Sequence, residues 1–256
     1  MTNINWIGFK TLYLREYRRF MSVASQTIAA PVVTTLLFLA VFMLAIGVNR
    51  VDINNVPFAQ FLAPGLIMMT MVQNAFANTS SSLMIAKMQK NIVDTLMAPL
   101  SPFELTLGYM LGGVSRGILV GFSVFVVMLL LGFIVIHHPL IVLLYAFLAC
   151  SMLSLLGTIG GIIAIKYDHL GAFTNFVITP LSFLSGTFYS VNALPKFGKI
   201  LASYNPFFYM IDGFRYGFIG VSDGNIIHGF SVLFVSNVIL FLIVYEMFRR
   251  GYRLKS

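Results

Sequence analysis

Residues 140–165 read LIVLLYAFLACSMLSLLGTIGGIIAI, an apolar run that contains no charged side chain. A helix of about 20 apolar residues is long enough to cross the hydrocarbon core of a bilayer, so this run predicts a transmembrane helix. Five further runs have the same character, and together they predict an all-α membrane protein with six transmembrane helices. The predicted spans are residues 27–48, 58–83, 105–136, 140–165, 170–190 and 228–248.

The composition of the 256-residue chain supports this class. Hydrophobic residues make up 59% and charged residues 9%, too few charges to cover a soluble globule. The formal net charge is +8, but the basic residues flank apolar runs instead of forming one basic domain, which argues against nucleic-acid binding. The single cysteine, Cys150, lies inside an apolar run, so we expect it to pack in the core without an intrachain disulfide.

The distribution of lysine and arginine predicts the orientation. With six spans drawn, twelve basic residues fall on or near one side and four on the other, which places both termini in the cytoplasm. The first apolar run lacks a small-residue cleavage site, so we interpret it as a retained helix. The larger set is Lys10, Arg15, Arg18, Arg19, Lys87, Lys90, Arg116, Lys166, Arg249, Arg250, Arg253 and Lys255, and the smaller set is Arg50, Lys196, Lys199 and Arg215.

Residues 1–24 predict an interfacial helix ahead of the first span. Its aromatic residues recur at three- and four-residue steps, with the arginines facing away from them, a pattern typical of an amphipathic helix lying in the bilayer interface. Such a helix could transmit motion or simply anchor the chain, and both interpretations stay open. The aromatic residues are Trp6, Phe9, Tyr13, Tyr17 and Phe20, and the arginines are Arg15, Arg18 and Arg19.

Residues 86–98 predict a short cytoplasmic helix between the second and third spans. Met88, Ile92 and Leu96 fall on one side of it, and Pro99 ends it. An exposed apolar stripe with flanking charges suits docking into the groove of a partner protein. The predicted docking residues are Lys87, Met88, Lys90, Ile92, Asp94 and Leu96.

Residues 191–221 predict a cap on the outer side. Pro195 and Pro206 interrupt the segment too much for a free span, yet it is too aromatic for a mobile loop, so we expect short re-entrant helices that pack over the bundle. Asp212 and Arg215 are three residues apart and are expected to pair across one turn. The candidate cap residues are Asn205, Pro206, Asp212 and Arg215.

Two spans carry polar stripes at helical spacing. Facing stripes could line a substrate path, but they could equally form interhelical hydrogen bonds worth about 1 kcal/mol per pair. The candidate path residues are Thr70, Asn74 and Asn78 in the second span, and Asn175, Thr179 and Ser182 in the fifth.

The third span combines glycines with one charge. Gly108 and Gly112 form one small-residue pair, and three further glycines follow at four-residue steps from residue 113, which permits close contact with another helix or with a second copy. Arg116 lies inside this span, where a cation costs at least about 2.5 kcal/mol unless it pairs or reaches the headgroups. Glu104 and Asp94 are its nearest acids in sequence, and a reach to the headgroups is the alternative.

The sequence contains no phosphate-binding loop, dinucleotide fingerprint, nucleophile motif or His and Cys spacing for a metal. We therefore expect no catalytic, cofactor or metal site in this chain, and no ATP hydrolysis by this chain itself.

These features together resemble the ABC-2 type permeases. The resemblance covers nearly the whole chain: the interfacial and cytoplasmic helices, Pro64-Gly65, the Thr95-Leu96-x-x-Pro99-Leu100-Ser101-Pro102 pattern and the outer motifs. The outer motifs are Ser185-Gly-Thr-Phe-Tyr-Ser190, Leu194-Pro195, Asn205-Pro206 and Ile211-Asp-Gly-Phe-Arg-Tyr-Gly217.

The resemblance implies the permease half of an ABC transporter, usually an exporter of the cell inner membrane. Two copies, expected as a homodimer, would associate with separate ATPase subunits that bind ATP and Mg. Residues 87–97 would be the coupling helix seated in the ATPase, and residues 4–20 a connecting helix over it. The main alternative is an ion-coupled secondary transporter, which would want acids near the bilayer midplane. A structural scaffold ranks third, and the substrate is not predicted.

Overall fold

The computed structural model describes residues 5–45 and 56–253, which fold into helices joined by short turns. A π-helical segment, Ser25–Ala29, runs into α2, a second, Thr174–Ile178, joins α7 to α8, and a 3-10 turn covers Val191–Ala193. The predicted all-helical class is confirmed. The helices are α1 (Trp6–Met21), α2 (Ala30–Ala45), α3 (Phe58–Met88), α4 (Ile92–Met97), α5 (Pro102–Leu130), α6 (Pro139–Ile163), α7 (Tyr167–Phe173), α8 (Thr179–Phe183), α9 (Lys196–Tyr204), α10 (Pro206–Ile219) and α11 (Ile226–Arg250).

Four helical stretches of the described residues are long and apolar enough to cross a bilayer: Ser25–Leu44, Pro102–Leu130, Pro139–Ile163 and Ile226–Arg250. The second predicted span falls in α3, which has 31 residues and carries polar side chains along much of its length. The fifth becomes the interrupted helix α7 to α8. The six-span count therefore stays a prediction. The third span ends at Leu130 instead of residue 136, because Gly132 adopts a positive φ of 77° and the chain turns there.

The centre of the bundle is α3, which packs against α5, α6 and α10. Glycines allow the close approach. A Cβ added at Gly117 of α5 would lie 2.8 Å from the Cys150 sulfur of α6, and one added at Gly161 of α6 would lie 2.8 Å from the Leu83 Cβ of α3. Cys150 is fully buried here, as predicted. The small-residue faces of α5 and α6 are thus occupied by helices of the same chain.

The contacts define two ends of the bundle. At one end, which we call the α4 end, α1 contacts α4, the first turn of α5 and the C-terminal part of α3. The last turn of α6 lies at the same end, because Lys87 Nζ donates to the Ala164 carbonyl across 2.6 Å. At the opposite end, the α9 end, lie the 131–138 turn, α9 and the loop after α10. Among the described residues, Lys87 and Lys90 lie at the α4 end and Lys196 and Lys199 at the α9 end, as the predicted separation of these basic residues requires.

Some predictions fall outside the described residues. These are the last residues of the first predicted span, at 46–48, together with Arg50, Lys255 and the first residues of the interfacial helix.

The outer cap is helical, and α10 packs deeply against α6, α3 and α11. Gly217 permits this packing, because a Cβ there would lie 2.6 Å from the Val142 side chain of α6. Gly220 then ends α10 with a positive φ of 71°. The segment therefore forms part of the bundle wall, while its re-entrant depth in a bilayer stays a prediction.

Candidate functional site

The site begins with α1, which packs against α5 at the α4 end. Leu12, Glu16 and Phe20 form its buried face. Gly108 and Gly112 of α5 receive this face, because Cβ atoms there would lie 2.5 Å from the Leu12 side chain and 2.7 Å from the Glu16 Cβ. The glycine pair therefore serves as a seat for α1.

Glu16 is the central residue of this interface, and the sequence reasoning missed it. Its side chain is fully buried. Its Oε1 accepts hydrogen bonds from the Ser82 hydroxyl of α3 across 2.8 Å and from Arg15 across 3.1 Å, while Oε2 lies 3.5 Å from Arg19 Nε. The available signal was its four-residue spacing from Leu12 and Phe20, which places an acid on an otherwise apolar helix face.

Two arginines of α1 turn toward the bundle. Arg15 donates to the Thr95 hydroxyl of α4 across 2.7 Å and to the Tyr109 hydroxyl of α5 across 3.0 Å. Burial lowers the pKa of the Arg15 guanidinium, but the Tyr109 and Glu16 groups raise it by more, so this pKa lies above its ordinary value and Arg15 stays charged.

Arg19 anchors α1 to α3 by donating to the Asn78 side-chain oxygen across 2.9 Å and to the Asn78 backbone carbonyl across 2.7 Å. The sequence analysis placed all three arginines on the side away from the aromatic residues, and the structure adds that buried acceptors on α3, α4 and α5 draw Arg15 and Arg19 toward the bundle. Arg18 stays exposed. Of the predicted aromatic face, Tyr13 is hydrogen-bonded to Ser115 across 2.8 Å, whereas Trp6 remains 67% exposed.

The first turn of α1 is tied to the turn between α4 and α5. Glu104 accepts the Ser101 backbone N–H across 2.6 Å in the capping box of α5, and its other oxygen accepts the Asn5 backbone N–H across 2.5 Å. Asn5 also donates from its side chain to the Pro99 carbonyl across 3.1 Å. Both carboxylate oxygens of Glu104 thus accept backbone N–H groups at these helix ends, and Glu104 is not the partner of Arg116.

The short helix between the second and third spans is displaced relative to the prediction. The long helix α3 continues to Met88, Lys90 adopts a positive φ of 59°, and α4 starts afresh at Ile92. This break rotates the face of α4, so Ile92 is buried at 3% exposure and Leu96 is partly buried against the core. The predicted stripe through Met88, Ile92 and Leu96 is therefore wrong as an exposed face.

Lys87 was also among the predicted docking residues, but it does not belong to the exposed surface. It lies in the last turn of α3 and donates to the Ile162 and Ala164 carbonyls across 2.7 Å and 2.6 Å, which satisfies the open end of α6. It therefore acts as a helix cap between α3 and α6.

The exposed side chains of this region include Met88, Lys90, Val93, Asp94 and Met97, and Asp94 also lines the cleft between α4 and α1. We call these side chains the α4 face. Met97 is 80% exposed on α4, which Arg15 holds from behind, and Met88 at the end of α3 is 63% exposed. Flexible methionines beside an acid and a base are well suited to a protein partner.

The predicted polar stripes do not face each other. Thr70 and Asn74 of α3 line a groove of about 640 Å³ between α2 and α3, which Arg116 of α5 also lines. Asn78 is buried and holds Arg19. The fifth-span residues lie apart from this groove: Asn175 is exposed, Thr179 is half-buried, and Ser182 is buried and donates to the Ile178 carbonyl across 2.8 Å.

The outer cap is stabilised differently from the prediction. Asp212 does not form an ion pair with Arg215 in the described structure, because its two oxygens accept the backbone N–H groups of Asp223 and Gly224 across 2.8 Å and 2.9 Å. Arg215 is buried, donates to the Gly186 carbonyl, and lies 3.8 Å above the centre of the Phe61 ring.

The remaining candidate cap residues start α10. Pro206 is its first residue, and the Asn205 side-chain oxygen accepts the Phe207 N–H across 3.0 Å. The Asn205 amide also donates to the Leu181 carbonyl across 3.0 Å, which joins the start of α10 to α8.

Comparison with known proteins agrees with this architecture. The family model described as ABC-2 type transporter matches residues 7–219. The inner membrane transport permease YadH of Escherichia coli (strain K12) is 38% identical over 256 residues, covering 100% of both chains. Nodulation protein J of Rhizobium leguminosarum bv. viciae is 25% identical over 252 residues, covering 96% of this chain and 95% of that protein.

The apolar helices and these comparisons make the chain a membrane permease of the ABC transporter class. The chain belongs to the ABC-2 type transporter family.

Proposed function

We propose that the chain is the membrane-spanning permease subunit of an ABC exporter driven by a separate ATPase. Two copies associate as a homodimer in the inner membrane, with the α4 end and both termini in the cytoplasm. The chain itself does not hydrolyse ATP, and ATP and Mg bind in the partner subunits. The family membership, the similarity to an inner membrane transport permease of E. coli and the basic residues at the α4 end support this assignment.

The observation that carries the proposal is the α4 face. An exposed apolar patch of this kind on a monomer marks an interaction site. Val93, Asp94 and Met97 project from a six-residue helix whose opposite side is fixed by Ile92 and Thr95. A partner that binds this face therefore acts directly on α4, a helix whose opposite side is held in place by the rest of the bundle.

The contacts behind α4 can transmit its movement to other helices. Arg15 connects α4 to α1 and α5, and Glu16 and Arg19 connect α1 to α3. When the ATPase closes on ATP, the α4 face moves, and α1, α3 and α5 move with it as one braced unit. ATP drives transport only if the α4 face binds the closed and open ATPase states with different affinity.

The test is co-purification of the full chain with its ATPase in mild detergent. Met97→Asp and Val93→Asp place a charge in the proposed interface and are expected to release the ATPase while the permease still elutes as a folded species. Phe197→Asp is the matched control, because Phe197 is 73% exposed on α9 at the opposite end. Full retention of the ATPase by both α4 variants would overturn the docking assignment, and ATP-independent, ion-driven transport would favour a secondary transporter.

A further inference from the structure

The groove between α2 and α3 is lined by both polar and apolar groups. It extends from Val23 and Ser81, near the α4 end, to Leu66 and Phe38 in the middle of the bundle. Apolar side chains of α2 and α3 therefore flank its deeper part. Its polar side chains include Gln26, Thr34, Gln73, Asn74, Arg116 and Tyr167.

Arg116 is half-buried and makes few of the hydrogen bonds that its guanidinium can donate. It lies near the middle of the 29-residue helix α5, and it makes one hydrogen bond to the described residues, from Nη2 to the Asn74 side-chain oxygen across 3.1 Å. Its Nε is buried without a hydrogen-bond partner among them. A guanidinium has five N–H donors, so most of its donor capacity is unused in a region where an unpaired charge is costly.

The charges around Arg116 make an anion the missing component. No Asp or Glu belongs to the lining of this groove in the described part of the chain. The neighbouring charge that acts on Arg116 is a second cation, Arg19, which is itself paired with Glu16 across 3.5 Å. Among the described residues, no acidic side chain of the groove lining neutralises the charge of Arg116.

The side chains that line the groove indicate the class of anion. A guanidinium binds phosphate through two parallel N–H bonds, and basic pockets between membrane helices bind lipid headgroups. Gln73 lines the same groove and has no hydrogen-bond partner among the described residues, so its amide is free for a polar headgroup. Phe38, Leu66 and Met69 provide an apolar wall for the attached chain.

We propose that the α2–α3 groove binds the phosphate headgroup of a membrane amphiphile, with Arg116 as the cation that fixes it. The headgroup enters from the α4 end and receives hydrogen bonds from Arg116 and Gln73, while its acyl chain lies against α2 and α3. This binding does not depend on the ATPase assignment, so the two can fail separately.

The test measures binding of phosphatidylglycerol to the purified full chain in uncharged detergent by native mass spectrometry. Arg116→Gln removes the cation, and Arg18→Gln is the matched control, because it removes the same charge from an exposed position of α1. Loss of a charge-assisted hydrogen-bond pair is expected to weaken binding about tenfold or more in Arg116→Gln. Binding in Arg18→Gln should equal that of the unmodified chain.

Two competitors separate the sources of binding. Diacylglycerol with the same acyl chains should not displace phosphatidylglycerol, and neither should inorganic phosphate, because each supplies only half of the ligand. Equal binding by Arg116→Gln and the unmodified chain would overturn the proposal, and so would full displacement by either competitor. If Arg116→Gln does not fold, Gln73→Leu keeps the cation and is expected to bind several-fold more weakly, whereas unchanged binding by that variant would refute the site.

Discussion

Arg15 donates a hydrogen bond from Nη1 to the Thr95 hydroxyl across 2.7 Å, and this contact joins α1 to α4. The same guanidinium reaches Tyr109 of α5. Three elements that are separate in sequence therefore converge on one side chain directly behind the α4 face, which connects the docking surface with the spanning helices.

The first prediction concerns this contact. Thr95→Val removes the acceptor with little change of volume, and Arg15→Met removes the donor. Because the Arg15 side chain is 45% exposed, we expect a coupling free energy of only about 1 kcal/mol in a double-mutant cycle of unfolding in mixed micelles. Both single variants should bind the ATPase but stimulate its activity less. Strictly additive stabilities together with normal stimulation would contradict the role of the contact.

The second prediction concerns the seat of α1. Gly112→Ala places a methyl group 2.7 Å from the Glu16 Cβ, so overpacking should cost about 1–3 kcal/mol and lower the melting temperature in detergent. Gly171→Ala is the control, because a Cβ at that position meets nothing within 4 Å. Equal melting temperatures for both variants would show that α1 is not seated on Gly112.

The third prediction separates folding from docking. Lys87→Met removes the ammonium that binds the Ile162 and Ala164 carbonyls, so it should lower the melting temperature, while ATPase binding per folded molecule stays unchanged. Met97→Asp should show the reverse, normal melting with lost binding. A Lys87→Met protein that melts normally yet loses the ATPase would restore Lys87 to the docking surface.

The fourth prediction concerns orientation. The single native cysteine is buried, so single-cysteine reporters can be added to the chain without background labelling. A membrane-impermeant maleimide should label Phe197→Cys on intact spheroplasts and Met97→Cys only on inside-out vesicles. The opposite pattern would place the α4 end outside the cytoplasm and exclude docking of a cytoplasmic ATPase there.

The sequence predicts the helices well because their signals are local. Apolar runs and Pro99 located α6, α11 and the short helix before α5, and the family motifs identified the family. Glu16 could not be predicted as a buried anchor, since Ser82 is 66 residues away in sequence and the glycine seat exists only after folding.

The docking residues show a second limit. The sequence pattern predicts one continuous helix over residues 86–98, which places Ile92 in line with Met88. The positive φ of Lys90 breaks that helix and rotates α4, so that Ile92 turns inward and Val93 and Met97 turn outward. A single residue in the left-handed region, which side chains other than glycine seldom adopt, thus decided which face is exposed.

The central claim is that the α4 face seats directly in a separate ATPase. The most direct measurement is thiol cross-linking in native membranes with a short bifunctional reagent, comparing Met97→Cys with Phe197→Cys. We expect Met97→Cys to form a cross-linked product with the ATPase whose yield changes when ATP is added, and Phe197→Cys to form none. Absence of an ATPase adduct from Met97→Cys, in membranes where the ATPase is present and the thiol is accessible, would contradict the account.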